Sequence, residues 1–437
     1  MNNFRSFTIK RKEGLNFSKI SGDKNKIHTD NLTGYNSIFG NIICHGVLVI
    51  FKFFKIISIK KKIEKKEKFS IDVEFKKHVI YDEPITLKFY YKRYKIVFYH
   101  LLQKKEVVAI IKIADDYSES IAKIKKITKS KKITPDKKFI NYYKKLKIDP
   151  TLGLILSSLS RYVGTIYPGE NSIIKKININ FNSCKKNNEK SISFTSKLID
   201  KRFPIIENRL KYRNYLINFE TIIRPKLYIH LKKPTNKILK LIKSINCNIL
   251  IIGASSGIGF DLLNLFKYNK KIKIISTYCK NKIKIKGKNI IKKQVDVEKN
   301  FYLIKNIIKK YNPIIIYYFA TPKININSKN LKVLNLYKKY YLYYPTKILN
   351  FSKNYYIKFF YPSTTYVNTK KNLDYSKIKL QAEKKITKFK NEYLRVNILR
   401  IPEINTKQNL SLVLKKLPNF RDILFKYKKI QASVFFK

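Results

Sequence analysis

Glycine is scarce in this chain, 12 of 437 residues, and its placement is uneven. Gly14, Gly22, Gly34, Gly40 and Gly46 fall in one window, and Gly253, Gly257 and Gly259 in another far downstream. Glycine permits positive φ and close backbone approach, so such local enrichment predicts two sets of tight turns, each facing something. Ordinary packed elements must fill the rest.

Those elements follow two patterns. From Ile42 to Ile59 the apolar residues run long enough for a buried helix beginning near His45-Gly46. Segments rich in β-branched and aromatic residues then read as strands at Phe69–Phe75, Ile85–Tyr91, Tyr94–Leu102 and Val107–Ala114. The Lys-rich run Lys123–Lys138, with Pro135, reads as a connector. A second round follows: a helix at Leu152–Val163, then strands at Ile173–Phe181, Ser191–Ile199, Leu216–Ile223 and Lys226–Leu231. Helix-then-strands, twice, predicts a duplicated α+β fold. From Cys247 onward, strands at Asn248–Ile252, Ile272–Thr277, Pro313–Ala320, Tyr356–Tyr361 and Leu394–Ile401 alternate with helical stretches. That alternation predicts an α/β domain, a parallel sheet with helices on both faces. Lys232–Lys240, bearing Pro234, reads as the boundary. The expected domains are 1–122, 139–232 and 246–437.

The formal charge of +67 raises the question of a nucleic-acid partner. Of 95 basic residues only 11 are Arg, Trp is absent and Met1 is the only Met. The abundant residues (Lys, Ile, Asn, Tyr, Phe) are those of AT-rich codons, and the lysines are spread along the chain, whereas a phosphate-binding face clusters Arg and Lys. No specific nucleic-acid partner is expected; salt-sensitive sticking to polyanions is. Cys44, Cys184, Cys247 and Cys279 lie far apart without C-x-x-C spacing, which fits a reducing compartment and no metal site. With no signal-like segment and no long apolar run, a cytoplasmic protein without membrane association is expected.

In the first window Asp23 and His28 lie five apart on a polar, Gly-containing turn, close enough to hold one water between them. A carboxylate and an imidazole share acid and base roles when their environments separate their pKa values, as addition of water to an activated double bond requires. Gly46 sits where the apolar helix begins, so its N–H is placed to meet a thioester oxygen. The full string, Phe17-Ser18-x-x-Ser21-Gly22-Asp23-x-Asn25-x-Ile27-His28-x-Asp30, then Phe39-Gly40 and His45-Gly46, resembles the MaoC-like (R)-specific enoyl thioester hydratases. The resemblance implies a hot-dog fold, a long helix wrapped by an antiparallel sheet, with Asp23 and His28 as catalytic pair and Gly46 as oxyanion donor. Lys26 replaces the family's Pro, and Gly34 stands where Ala is common. The second round, around Ser157–Gly169, looks like another hot-dog unit, as in double hot-dog hydratases. It has only His230 and no D-x4-H, so it is expected to complete the fold and line an acyl tunnel without catalysing.

In the second window a strand, a Gly-rich turn and a helix over Asn248–Phe260 make the context of a phosphate cradle. Asp296, in Val295-Asp296-Val297, follows a predicted strand and is placed to meet an adenine amine. Tyr375 and Lys379 lie one helical turn apart and face one side, where the ammonium would lower the phenol's pKa. Ser363, at a strand end, would orient a carbonyl. This part resembles the short-chain dehydrogenase/reductases over nearly all of 246–437. The resemblance makes Ser363, Tyr375 and Lys379 the catalytic set. It makes Gly253, Ser255, Ser256, Gly257, Ile258 and Gly259 the cofactor turn, with Asp296, Val297 and Ala320 beside it and Pro402 and Thr406 along the nicotinamide. No acidic residue ends the next strand, Thr277-Tyr278-Cys279-Lys280, and Lys280 is placed for a 2′-phosphate, so NADP(H) is favoured over NAD(H). The family's Asn-Asn-Ala-Gly reads Phe319-Ala320-Thr321-Pro322, and its active-site Asn has only Asn335 as counterpart.

Together these readings predict a bifunctional enzyme on acyl thioesters of coenzyme A or an acyl carrier protein. It would carry out NADPH-dependent 3-oxoacyl reduction and 3-hydroxyacyl dehydration, in fatty-acid or polyketide synthesis. A degradative hydratase with an NAD-dependent dehydrogenase, and a basic nucleic-acid-associated protein without catalysis, are the alternatives. By analogy with both families, a homo-oligomer is possible.

Overall fold

The alternating apolar residues downstream of Lys68 become, in the computed structural model, one ten-stranded antiparallel sheet. The structure describes residues 5–60, 66–115, 129–170, 172–184, 189–200, 204–224, 231–322, 331–406 and 417–436. Among these the chain forms two compact units, the first ending at Arg224 and the second starting at Leu231.

The first unit's strands are β1 (Arg5–Thr8), β2 (Lys68–Phe75), β3 (Pro84–Arg93), β4 (Ile96–Gln103), β5 (Glu106–Ala114), β6 (Lys129–Ile133), β7 (Ser172–Asn182), β8 (Ile192–Asp200), β9 (Ile205–Tyr212) and β10 (Tyr215–Ile223). Their order is β1-β3-β4-β5-β2-β7-β10-β9-β8-β6. Read outward from the β2–β7 seam, both halves run through corresponding strands in the same sequence, so the duplication is visible in topology. Each half also contributes one apolar helix, α2 (Gly46–Ile57) and α3 (Pro150–Arg161). α1 (Arg11–Ser21) precedes them. α2 buries Val47, Leu48, Val49, Ile50, Phe51, Phe53 and Phe54, apolar nearly all round as a core helix must be. Each such side chain stabilises by about 1.5–3 kcal/mol. α3 starts where Asp149 accepts from the Leu152 N–H at 2.8 Å, with Pro150 in the first turn.

Three local expectations fail here. The Lys-rich connector contains β6, which pairs with β8 as an edge strand; its lysines face water, which is how edges resist further pairing. β9 was hidden because its outward positions carry Glu207 and Lys211, charges that mask the period-two apolar set. The expected boundary holds a helix, α4 (Asn236–Lys243), capped by Thr235 and burying Ile238 and Ile242 while its lysines stay outside. The proposed strand at Lys226–Leu231 falls, apart from Leu231, outside the described residues, as does His230.

The second unit is a six-stranded parallel sheet of β11 (Ile249–Ile252), β12 (Ile274–Tyr278), β13 (Ile290–Gln294), β14 (Ile315–Tyr318), β15 (Ile357–Thr364) and β16 (Leu394–Ile401), ordered β13-β12-β11-β14-β15-β16. In chain order that is 3-2-1-4-5-6, the doubly wound arrangement, with its switch point between β11 and β14. Ile249 and Ile251 enter the core on one face, Leu250 and Ile252 the core on the other. A strand buried on both faces reads as a continuous apolar run, which is why Ile249–Ile252 lacks alternation. Helices α5 (Gly257–Phe266), α6 (Leu331–Tyr337) and α7 (Asp374–Thr387) carry or flank the motif residues. No helix among the described residues is long and apolar enough to cross a membrane.

Candidate active sites

In the first unit α1 ends at Gly22, whose φ of +71° lets its N–H close the helix on Ser18 O at 3.0 Å. That left-handed turn sends Asp23 inward, where it is 3% exposed. Its Oδ1 accepts from the Asn25 N–H at 3.0 Å and its Oδ2 from the Ser160 hydroxyl at 2.7 Å. Burial pushes the carboxyl up to about 6, against the pull of those two bonds. His28 closes a short turn over Lys26–His28, begun where the Asn25 side chain accepts from the Ile27 N–H. Its Nδ1 lies 2.9 Å from Ile43 O; a carbonyl only accepts, so Nδ1 carries the proton and Nε2 the lone pair. Burial, with a smaller effect from the Arg224 charge, pulls His28 down to about 4, against the bond to Ile43. The imidazole is therefore neutral at pH 7.

A third group joins them. His45, the residue before α2, stacks on His28 with ring centroids 4.0 Å apart and planes at 29°. Ligating atoms of Asp23, His28 and His45 lie within 4.8 Å of one another. Gly46, first in α2, offers an N–H with no intrahelical acceptor. Gly34 explains itself: a Cβ there would lie 2.5 Å from the Ile42 nitrogen.

The second repeat packs directly against the pair. Besides Ser160, it brings Gly164 so close that a Cβ there would sit 2.0 Å from Asp23 Oδ1. Thr165 Oγ1 accepts from the Lys24 N–H at 2.9 Å, and Asn25 Nδ2 donates to Ser172 O at 3.3 Å. Arg224, 8% exposed, donates to Asn25 Oδ1 and to Glu170 O. The serines Ser157, Ser158 and Ser160 in an otherwise apolar helix were the one available signal. A wide π-type turn over Tyr162–Ile166 continues α3 and presents Gly164.

In the second unit β11 runs into Gly253, with φ of +87°, where a Cβ would meet Ala320 N at 2.7 Å. Thr277 holds the turn from the neighbouring strand, accepting from the Gly253 N–H through Oγ1 and the Ala254 N–H through its carbonyl. Gly259 packs on the Gly253 carbonyl, 2.4 Å from where a Cβ would stand. Gly257 has φ of +61° and open space before it, the nearest atom being Thr406 Cγ2 at 3.9 Å. Ser255, Ser256 and half-buried Ile258 complete a turn that leads into the N-terminus of α5. A close-packed back and an open front are what a pyrophosphate cradle needs, so the residues fit a dinucleotide. Asp296 follows β13 beside buried Val297, accepts from the Glu298 N–H at 2.9 Å, and faces the Cys279 thiol next to exposed Lys280. Pro402 lies just past β16.

Tyr375 and Lys379 stand on α7 as expected, but their electrostatics differ. Burial drives Lys379 down to about 7, with Glu383 opposing. Its ammonium donates to Pro362 O at 2.6 Å and lies 4.2 Å from the Tyr341 ring centroid and 4.5 Å from that of Tyr361. Burial, then Tyr337 and Tyr366, push the Tyr375 phenol up despite a bond with Thr364. The expected lowering by Lys379 is therefore overturned, because the ammonium is itself desolvated and engaged elsewhere. Ser363, expected to orient a carbonyl, has a buried hydroxyl with no hydrogen-bond partner, and its neighbour Thr364 is the hydroxyl that acts on the Tyr375 phenol. Asn335 is exposed on α6. The residue facing Lys379 and Tyr375 is Tyr341, on a π-type turn over Lys338–Tyr343, its hydroxyl 2.6 Å from Thr321 Oγ1.

No family model and no curated protein matches the chain. A UDP-glucose 4-epimerase from Thermotoga maritima is 18% identical over 35% of this chain, which spans only 54% of that protein, with a TM-score of 0.31. A short chain dehydrogenase from Burkholderia cenocepacia in complex with NADP is 13% identical, covering 43% of this chain and 83% of that one, with a TM-score of 0.36. A MaoC-like dehydratase is 8% identical, covering 50% of this chain and 97% of that one, with a TM-score of 0.36. Solved structures similar to this chain thus include short-chain dehydrogenases and a MaoC-like dehydratase, each matched to part of it. At such scores the likeness carries no functional argument, which is left to the side chains.

Proposed function

We propose that the chain is a bifunctional enzyme on acyl thioesters, a double hot-dog hydratase/dehydratase joined to an NADPH-dependent 3-oxoacyl reductase. The observation that carries the reading is a buried carboxyl beside a buried neutral imidazole whose Nε2 lone pair is free to act. In dehydration His28 Nε2 takes the C2 proton, the C2–H electrons become the C2–C3 double bond, and the C3–O bond breaks. Asp23, in its protonated form, gives its proton to the departing hydroxyl, which leaves as water. The Gly46 N–H steadies the thioester oxygen while charge gathers on it. A proton then passes from His28 back to Asp23. Hydration is the reverse.

For the reductase, the turn Gly253–Gly259 and the α5 N-terminus would hold the pyrophosphate, Asp296 the adenine, Lys280 a 2′-phosphate, and Pro402 and Thr406 the nicotinamide side. NADP(H), when bound, supplies the hydride to C3. Tyr375, on whose phenol Thr364 acts, protonates the resulting oxygen, while the Lys379 ammonium donates to Pro362 O. Preference for NADPH supports synthesis; tighter binding of NAD⁺ would reverse the direction in favour of degradation.

The test is a 3-oxoacyl thioester with NADPH, following cofactor absorbance and enoyl product together. Asp23→Asn should stop at the 3-hydroxyacyl thioester, with dehydration down about 10²-fold or more. Tyr375→Phe should abolish NADPH oxidation yet still hydrate an enoyl thioester. If neither substitution changes either activity, the assignments are wrong.

A further inference from the structure

His45 is a buried titratable side chain that the mechanism above leaves unused. It is 1% exposed, and its Nε2 is buried without a hydrogen-bond partner. Its Nδ1 lies 3.1 Å from the Tyr81 hydroxyl. Burial holds the Tyr81 phenol in its protonated form. A phenol O–H is a better donor than a neutral imidazole N–H, and an imidazole nitrogen the better acceptor, so Tyr81 donates and Nδ1 accepts. A neutral imidazole has one proton, which must then sit on Nε2. Burial first, and the neighbouring His28 second, keep His45 uncharged.

An N–H donor left unpaired in the interior is costly, and such groups are retained where something else completes the bond. The place is specific. His45 immediately precedes Gly46 at the positive end of α2, and it shares its space with Asp23 and His28. On the hydratase reading just given, we propose that His45 is a second oxyanion donor. Its Nε2–H, with the Gly46 N–H, meets the thioester oxygen as negative charge develops there. A neutral imidazole suits this role, since it polarises a carbonyl without delivering a proton to it. The Tyr81 hydroxyl acts one step behind, as a positioning residue that sets the tautomer.

The test compares His45→Leu, which removes the donor, with His45→Gln, which keeps an N–H, and with Tyr81→Phe, which frees the tautomer. Circular dichroism and thermal unfolding of the same preparations, compared with wild type, report that both units are folded. For hydration of crotonyl coenzyme A, His45→Leu should lower kcat about 10²-fold with KM little changed. Gln should recover about tenfold of that loss, and Tyr81→Phe should fall between. A second readout is the infrared band of a ¹³C-labelled thioester carbonyl bound to the Asp23→Asn protein. It should lie below its frequency in solution, and return toward it when His45→Leu is added. Unchanged kcat in His45→Leu, Gln no better than Leu, or a carbonyl band indifferent to His45 overturns this assignment while leaving the hydratase reading intact. A wild-type chain that neither hydrates nor binds the thioester fails that reading, and the donor role with it.

Discussion

Asp23 and His28 are shifted in opposite senses by the same cause, loss of water, and this gives the pair a recognisable stability signature. The carboxyl rises from 3.8 to about 6, so between those values the folded chain holds the extra proton and stability falls as pH rises. The imidazole falls from 6.5 to about 4, so over nearly the same span the unfolded chain holds the extra proton and stability rises with pH. Each effect is about 3 kcal/mol and they nearly cancel. Unfolding free energy of the wild type should therefore carry little net contribution from this pair between pH 4 and 6. Asp23→Asn should unmask a rise of about 3 kcal/mol across that range, and His28→Gln a fall of similar size. Denaturant titrations at several pH values, taken as differences from wild type, check both signs. Parallel curves for all three proteins would contradict the burial of the pair.

Strand, turn and helix act together around the second glycine cluster. Gly253 and Gly257 need their side-chain-free backbones because φ is +87° and +61°, and Gly259 because a carbonyl presses on it. Gly253→Ala would drive a Cβ into the backbone of Ala320 and open the cradle. NADPH affinity, measured by fluorescence titration, should drop at least tenfold, whereas enoyl hydration by the first unit should stay at the wild-type rate. Loss of both activities would instead point to general unfolding. Two π-type turns run over Tyr162–Ile166 and Lys338–Tyr343. Each carries a residue that stands beside a buried ionisable group, Gly164 against Asp23 and Tyr341 against Lys379.

At the scale of the whole molecule, the 84 lysines spread along the sequence are expected to make a diffuse positive field. Binding to single-stranded DNA should weaken steeply as salt rises and show no sequence preference, measured by anisotropy at two ionic strengths. Sequence-selective binding that survives physiological salt would contradict this. The parts of the protein open to direct reading are those whose physics lies within a few neighbouring residues. A Gly turn needs only its own backbone, Asp23 and His28 share one loop, and Tyr375 and Lys379 share one helix face. The apolar runs of α2 and β11 likewise announce their burial. What stayed hidden depends on partners distant in sequence. Ser160 reaches Asp23 across 137 residues, and Thr364, not its neighbour Ser363, faces Tyr375. Folding also sets the protonation states, because desolvation is a property of the packed interior and no single residue carries it. Motif and period can be read along a line, but which side chains lose their water, and which pair up in its absence, depends on how the chain closes in three dimensions.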